Sequence, residues 1–349
     1  MRSLRIPMTA AMISVLGVGL ILRLLLGGGV SLDQRSVKDL SVGPFVKYHG
    51  GPVLQKGQEG SWDSGSIHAP SVVKVGQKYM MWYDGASGGD PYLGWSIGHA
   101  RAEDGEGAEW AKHPANPVLT AGPPGTWDST SVHDPRVVYE GGVYRMWYSG
   151  YDGRHWRIGY ATSSDGVLWA KHPSNPVLSP GEAGDWDESG VAYSSVLVKD
   201  GLYRMWYQGL GQAGVWRIGY AVSGDGVQWQ KSPISPVFSP GSNDDWDGQK
   251  VMTPQVIKIG AKYLMFYTGA PLWGIGYATS KDGILWQRTS ASPIMAPGQG
   301  GGWDGVQILT LSVLLEGDAL RVWYAGGSGE SLGIGLTSSQ LTQSAAVVQ

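Results

Sequence analysis

Five copies of one four-strand unit, a Trp-Asp pair at the head of each copy, and glycine turns between short aromatic strands predict an all-β fold. The specific expectation is a five-bladed β-propeller of four-stranded blades. Trp-Asp occurs at Trp62, Trp127, Trp186, Trp246 and Trp303, about 60 residues apart, a period suited to one blade. Each copy then runs through a strand and a glycine turn: SVVKVGQKY, RVVYEGGVY, SVLVKDGLY, QVIKIGAKY, SVLLEGDAL. A second strand follows (MMWYDG, RMWYSG, RMWYQG, LMFYTG, RVWYAG), then a third (SIGHA, RIGYA, RIGYA, GIGYA, GIGLT). Asp-Gly turns lead in the first four copies to an outer strand and, through NPVL or a variant of it, to the next Trp-Asp. Gly and Asp-Gly at these offsets are the residues that tight turns between antiparallel strands require.

The fifth copy ends at Gly333-Ile334-Gly335 without an outer strand. FVKYHGGPVL (45–54) matches WAKHPANPVL (110–119) position for position, Phe45 with Trp110, Lys47 with Lys112 and Pro52 with Pro117. The N-terminal strand over 45–54 is therefore expected to join the C-terminal blade and close the ring, which removes open sheet edges. Ahead of it, Arg2 and Arg5 precede an apolar run from Ile6 to Leu26 broken by one charge, Arg23. This reads as a signal peptide or signal-anchor helix over 1–30, followed by a linker over 31–44, the propeller over 45–340 and a tail over 341–349. The expected location is extracytoplasmic, secreted or held at the membrane by that helix alone.

Composition narrows the function. The chain has 349 residues, enough to bury a large core, and a net charge of −3, which offers no electrostatic attraction to nucleic acid. Its 55 Gly stand beside 17 Trp and 17 Tyr, so the glycines are turn residues of an ordered fold. There is no Cys, which excludes disulfides, thiolate metal sites and a cysteine nucleophile. No metal-binding spacing and no cofactor motif is read from the sequence.

The tryptophans all recur at blade positions and are read as inter-blade packing. The Asp of each Trp-Asp is read as a loop cap, and Asp104, Asp165, Asp225 and Asp282 as turn residues. Function is sought where one copy departs from the others. At the seventh residue after the Trp of Trp-Asp, where the inner strand starts and faces the channel, stand Ala69, Asp134, Tyr193, Thr253 and Thr310. At the sixth stand His68, His133, Ala192, Met252 and Leu309, and Lys250 occupies the fourth in the fourth copy. Asp134 is the one carboxylate of that ring. The loops between second and third strands add Asp84, Tyr92, Asp152, Arg154, His155 and Glu330 to the same face.

The motifs V-H-D-P, MWYSG, IGYATSSDGVLW and NPVL resemble the five-bladed glycoside hydrolases of families 43 and 32. They are more similar still to the family 130 group of mannoside phosphorylases and hydrolases. The resemblance implies a glycosidic bond as substrate and an oligo- or polysaccharide as partner, with phosphate as a further partner on the family 130 pattern. On the three-acid pattern of families 43 and 32, Asp134 takes the second-blade role. The first-blade acid falls at Ala69 and the third near Tyr193-Ser194-Ser195, with Glu188 five residues too early. On the family 130 pattern one aspartate donates the proton and phosphate, held by basic side chains, is the nucleophile.

The candidate catalytic residues are thus Asp134, Glu188, Asp152, Asp84 and Glu330. The candidates for substrate binding are His68, His133, Arg136, Tyr193, Lys250, Thr253, Arg154, His155 and Tyr92. A ring of cations about Asp134 is expected to lower its pKa. The alternative to an enzyme is a propeller with a degenerate site that binds glycan or protein at the cell surface.

Overall fold

In the computed structural model, which describes residues 40–48, 51–88, 90, 92–298, 302–328 and 332–343, the Trp-Asp copies fold as successive antiparallel meanders. The segment 1–30 lies outside the described residues. Among those described there is no α-helix, and no helix long and apolar enough to cross a membrane. The chain is all-β, with propeller-like sheets.

The inner strands are Ser66–Val75, Ser131–Glu140, Gly190–Lys199, Lys250–Ile259 and Gln307–Glu316. Each pairs with a second strand across a glycine turn: Lys78–Ala86, Val143–Tyr151, Leu202–Leu210, Lys262–Ala270 and Ala319–Gly327. The third strands are Ser96–Ala102, Trp156–Ser163, Trp216–Ser223, Gly274–Ser280 and Leu332–Gln343. Two-residue outer strands complete the first four units at Ala111–Lys112, Ala170–Lys171, Gln230–Lys231 and Gln287–Arg288. The second and third units also touch through one parallel pair, Gly190 with Trp156.

The fifth unit takes its outer strand from the other end of the chain. Val46–Lys47 pairs with Ser338 and Thr337, the register that Ala111–Lys112 keeps with Arg101 and Ala100. Leu54 bridges to Ile334 as Leu119 bridges to Ile97. One strand was not foreseen: Leu40–Val42 pairs with Leu341–Gln343. The sheet thus begins inside the expected linker and ends inside the expected tail.

A buried ion pair recurs in every unit and shows that the Trp-Asp carboxylates do more than cap loops. Asp63, Asp128, Asp187, Asp247 and Asp304 are all buried. They pair with the outer-strand cations Lys112, Lys171, Lys231, Arg288 and Lys47 at 2.5–2.9 Å. Each also accepts the hydroxyl of the second-strand tyrosine, as Tyr324 donates to Asp304 at 2.9 Å. Burial without a partner would be costly for these carboxylates, so the pair selects a cation at the outer strand. Lys47 meets that demand for the fifth unit.

Between units, the fully buried Trp82, Trp147, Trp206 and Trp323 donate their indole N–H to the carbonyls of Gly166, Gly226, Gly283 and Gly107. The inner strands are joined similarly: Val137 N–H donates to Ser71, Val256 N–H to Ser195, and Val72 N–H to Ser312. The last of these runs from the first unit to the fifth.

His99, in the third strand of the first unit, gives a pH dependence to this packing. Its ring lies 5.0 Å from that of Trp82, with Nδ1 3.1 Å from the Met81 carbonyl. Burial pushes the imidazole down from 6.5 to about 4. The unfolded chain therefore takes up this proton near pH 6.5 and the folded chain only near pH 4. Between those values the unfolded state binds more protons, so this contribution to stability falls as pH falls. The expected loss is on the order of 2–3 kcal/mol from pH 7 to 4. Denaturant midpoints of the wild type and His99→Gln across that range check it. Equal pH slopes in the two proteins would contradict the assignment.

Candidate functional site

The inner strands all break register at the seventh position after the Trp of Trp-Asp. Ala69, Asp134, Tyr193 and Thr253 sit there with φ of 48°, 52°, 47° and 51°. A left-handed backbone is unfavourable for such residues by about 1–2 kcal/mol each, so something must hold it. The neighbouring unit does. Asp134 N–H donates to Asp84 Oδ2 at 3.1 Å, Tyr193 N–H to Ser149 Oγ, Thr253 N–H to Gln208 Oε1, and Ala69 N–H to Thr310 Oγ1. Each bulge brings its residue to the lining of a central cavity.

That cavity is narrow, about 30 Å³, room for a water or two rather than a sugar ring. Arg136 and Gln255, from non-adjacent inner strands, line it and meet across it, Nη1 to Oε1 at 2.7 Å. At their position the other units have Ser71, Ser195 and Ser312, so this cross-channel bond replaces a serine that bonds the neighbouring strand. Burial lowers the Arg136 guanidinium to about 10, still charged at neutral pH. Arg136→Ala is expected to leave Gln255 unpartnered, costing about 1–3 kcal/mol, and to widen the channel. A thermal melt and a crystal structure check this; an unchanged melt would mean that the bond contributes nothing.

Asp134 is 5% exposed and both of its carboxylate oxygens lack a hydrogen bond of regular geometry. The Ser149 and Tyr193 hydroxyls face it without completing one. Burial, and then the charge on Asp84, raise its pKa well above the ordinary value. The expected lowering by surrounding cations is thus reversed. His68 and His133 do not serve Asp134; they pair with Asp84.

Asp84 was expected in an exposed loop. It lies instead near the end of the strand Lys78–Ala86, fully buried, cross-strand from His68. His68 Nδ1 is 2.5 Å from Asp84 Oδ1, and His133 Nδ1 is 3.5 Å from Asp84 Oδ2. Burial alone would raise this carboxyl; the two imidazoles overcome it and hold Asp84 well below the usual range. Burial lowers the pKa of His133, with Asp84 opposing. The imidazoles are framed by indoles: Trp95 stacks on His68 at 4.4 Å and Trp156 meets His133 edge-on at 5.0 Å.

The remaining candidates are dispersed. Glu188 accepts Gly184 N–H at 2.6 Å within its own loop. Asp152 accepts the N–H groups of Arg154 and His155 and pairs with Arg157 at 2.7 Å. Burial would raise its pKa, but Arg157 and these N–H groups hold it at about 2. It is an ionised loop cap. Arg154 lies by a surface hollow with Asp152 and Arg157, and Tyr92 is 55% exposed. Lys250 opens its strand opposite Ala270. Tyr193 and Thr253 line the cavity, Thr253 Oγ1 lying 2.7 Å from Thr268 Oγ1. Glu330 lies outside the described residues.

Sequence reasoning missed Ser149, Gln255, Trp95 and Trp156 as neighbours of the site. The second-strand position Asp84, Ser149, Gln208, Thr268, Ala325 varies as the inner-strand ring does. Comparing it across the repeats would have found Ser149.

The family model for β-1,4-mannooligosaccharide phosphorylases, glycoside hydrolase family 130, matches residues 89–182 and 188–297. An uncharacterised protein of Mycobacterium tuberculosis (strain CDC 1551 / Oshkosh) is 29% identical over 244 residues, spanning 67% of this chain and 77% of that one. A 1,2-β-oligomannan phosphorylase of Thermoanaerobacter sp. (strain X514) is 30% identical over 125 residues, 32% of this chain and 41% of that one. The β-1,2-mannobiose phosphorylase of Listeria innocua, solved with β-1,2-mannobiose, superposes with a TM-score of 0.68 at 14% identity. It covers 85% of this chain and 96% of that one.

Proposed function

This chain belongs to glycoside hydrolase family 130, and on that premise we propose that it cleaves β-linked mannose-containing oligosaccharides by phosphorolysis, with Asp134 as the proton donor. The observation that carries the reading is the lining of the central cavity. Among the described residues it holds one carboxyl group, Asp134, and one cation, Arg136. Hydrolysis by a carboxylate pair needs a second carboxyl facing the scissile bond, about 5–10 Å from the first. The neighbouring Asp84 is buried between two imidazoles and the Asp134 N–H. A nucleophile from outside the protein fits this single-acid arrangement better.

In the proposed step a phosphate oxygen attacks the anomeric carbon as the glycosidic C–O bond breaks. The leaving oxygen takes the Asp134 proton, giving a sugar 1-phosphate and a shortened saccharide, and solvent returns the proton to Asp134. Arg136, released from Gln255, is the cation placed to hold phosphate. We read the five units as blades of a closed five-bladed propeller. Bonds that return from the first unit to the fifth support this reading. We place the protein outside the cytoplasm, delivered or tethered by segment 1–30; a reporter fusion active only after export tests that.

The width of the cavity favours a second reading, a propeller that binds glycan without cleaving it. Incubation with β-1,2- and β-1,4-mannooligosaccharides, with and without phosphate, separates the two. Sugar 1-phosphate formed only with phosphate supports the proposal. Free mannose without phosphate indicates hydrolysis, and binding without turnover the second reading; either outcome overturns it.

A further inference from the structure

We propose that His68, Asp84 and His133 hold a divalent transition-metal ion at the seam between the first and second units. Each residue offers one donor atom, and the three atoms lie within 4.8 Å of one another. The side chains come from three strands, which is why no spacing in the sequence shows the set, and the expectation of no metal site is revised on this geometry. His68 is 9% exposed, His133 1% and Asp84 0%. His133 Nε2 is buried without a hydrogen-bond partner, and His68 Nδ1 and Asp84 Oδ1, 2.5 Å apart, meet only each other. A buried polar atom left unpaired, as His133 Nε2 is, is costly unless a ligand completes it.

The bond that Asp84 makes to the next unit needs no charge. Asp84 Oδ2 accepts the bulge N–H of the next unit, and the equivalent Ser149 and Gln208 do the same with neutral side chains. Oδ1 is left over, directed at His68. Histidine at the sixth position occurs only in the first two copies, and aspartate at the second-strand position only in the first. The three therefore converge at one seam of the five.

Two imidazole nitrogens and one carboxylate oxygen favour Zn²⁺, Fe²⁺, Mn²⁺ or Co²⁺ over Mg²⁺ or Ca²⁺, which prefer all-oxygen ligands. Three protein ligands leave coordination positions open to water or a sugar oxygen. Trp95 and Trp156 fix the two imidazole rings, which preorganises the donors.

The test uses the full chain, stripped with a chelator and titrated with Co²⁺ and with Zn²⁺. The expected result is one ion per chain, a visible Co²⁺ absorption band that Zn²⁺ abolishes, and a rise in melting temperature with either metal. Asp84→Ser, which copies the side chain of the second unit and keeps the bulge N–H bonded, should fold and bind at least about 100-fold more weakly. His133→Gln should weaken binding similarly. A folded wild type that takes up neither metal, or Asp84→Ser binding as tightly as the wild type, would overturn the proposal. These readouts do not depend on turnover, so the metal site and the phosphorolysis reading fail separately.

Discussion

Asp134→Asn is expected to lower turnover of a mannooligosaccharide in phosphate by about 10²–10⁴-fold, the usual contribution of a general acid, while the protein remains folded and as stable as before or more so. The two halves of that result belong together. The Asp134 carboxyl is buried, its oxygens lack regular hydrogen bonds, and its backbone is held in the left-handed region. A group with those properties costs stability rather than supplying it. Asparagine keeps the shape and the Asp84-bonded N–H but removes the transferable proton. Rates and denaturant melts measured on the same preparation check this. A large loss of stability with unchanged turnover would mark Asp134 as structural.

The second large effect is expected at the closure. A chain beginning at Gly50 loses both N-terminal strands, Leu40–Val42 and Val46–Lys47, and leaves the strand Leu332–Gln343 as a bare edge. The expected outcome is loss of a single cooperative melt and concentration-dependent association, because an unpaired edge templates pairing with other chains. Lys47→Met isolates one part of this effect by leaving Asp304 buried without its cation. The cost of breaking a buried pair is about 3–5 kcal/mol, discounted here to about 2–3 because the Lys47 side chain is 35% exposed. Melting by circular dichroism and light scattering at two concentrations measure both effects. A truncated chain that melts like the full one would show that the fifth sheet does not need its borrowed strand.

The fold was legible because it is repetitive: an error in reading one copy is corrected by the other four. Lys47 could be aligned with Lys112 from sequence, and the reason for the match, a buried Asp304 awaiting a cation, became visible only in three dimensions. Leu40–Val42 carries no repeat signal and its partner lies at the far end of the chain, so it read as linker. Asp134 stood out in the sequence as the one carboxylate of its position in the repeats, and in the structure it is among the residues lining the cavity. Its electrostatics did not follow from composition. Counting nearby cations suggested a lowered pKa, but the fold gives His68 and His133 to Asp84 and buries Asp134 beside the charge of Asp84. The left-handed bulges were hidden too, because Ala69, Tyr193 and Thr253 carry no local preference for that conformation; bonds from the adjacent unit impose it. Arg136 and Gln255 lie far apart in the chain, on inner strands that only the folded structure brings face to face.

A crystal structure of the protein with a bound mannooligosaccharide and phosphate tests the central claim most directly. The account predicts the glycosidic oxygen within about 2.6–3.2 Å of the Asp134 carboxyl, phosphate at Arg136, and the Arg136–Gln255 bond broken to admit them. Saccharide bound elsewhere on the surface, with that bond intact and Asp134 out of reach, would contradict it.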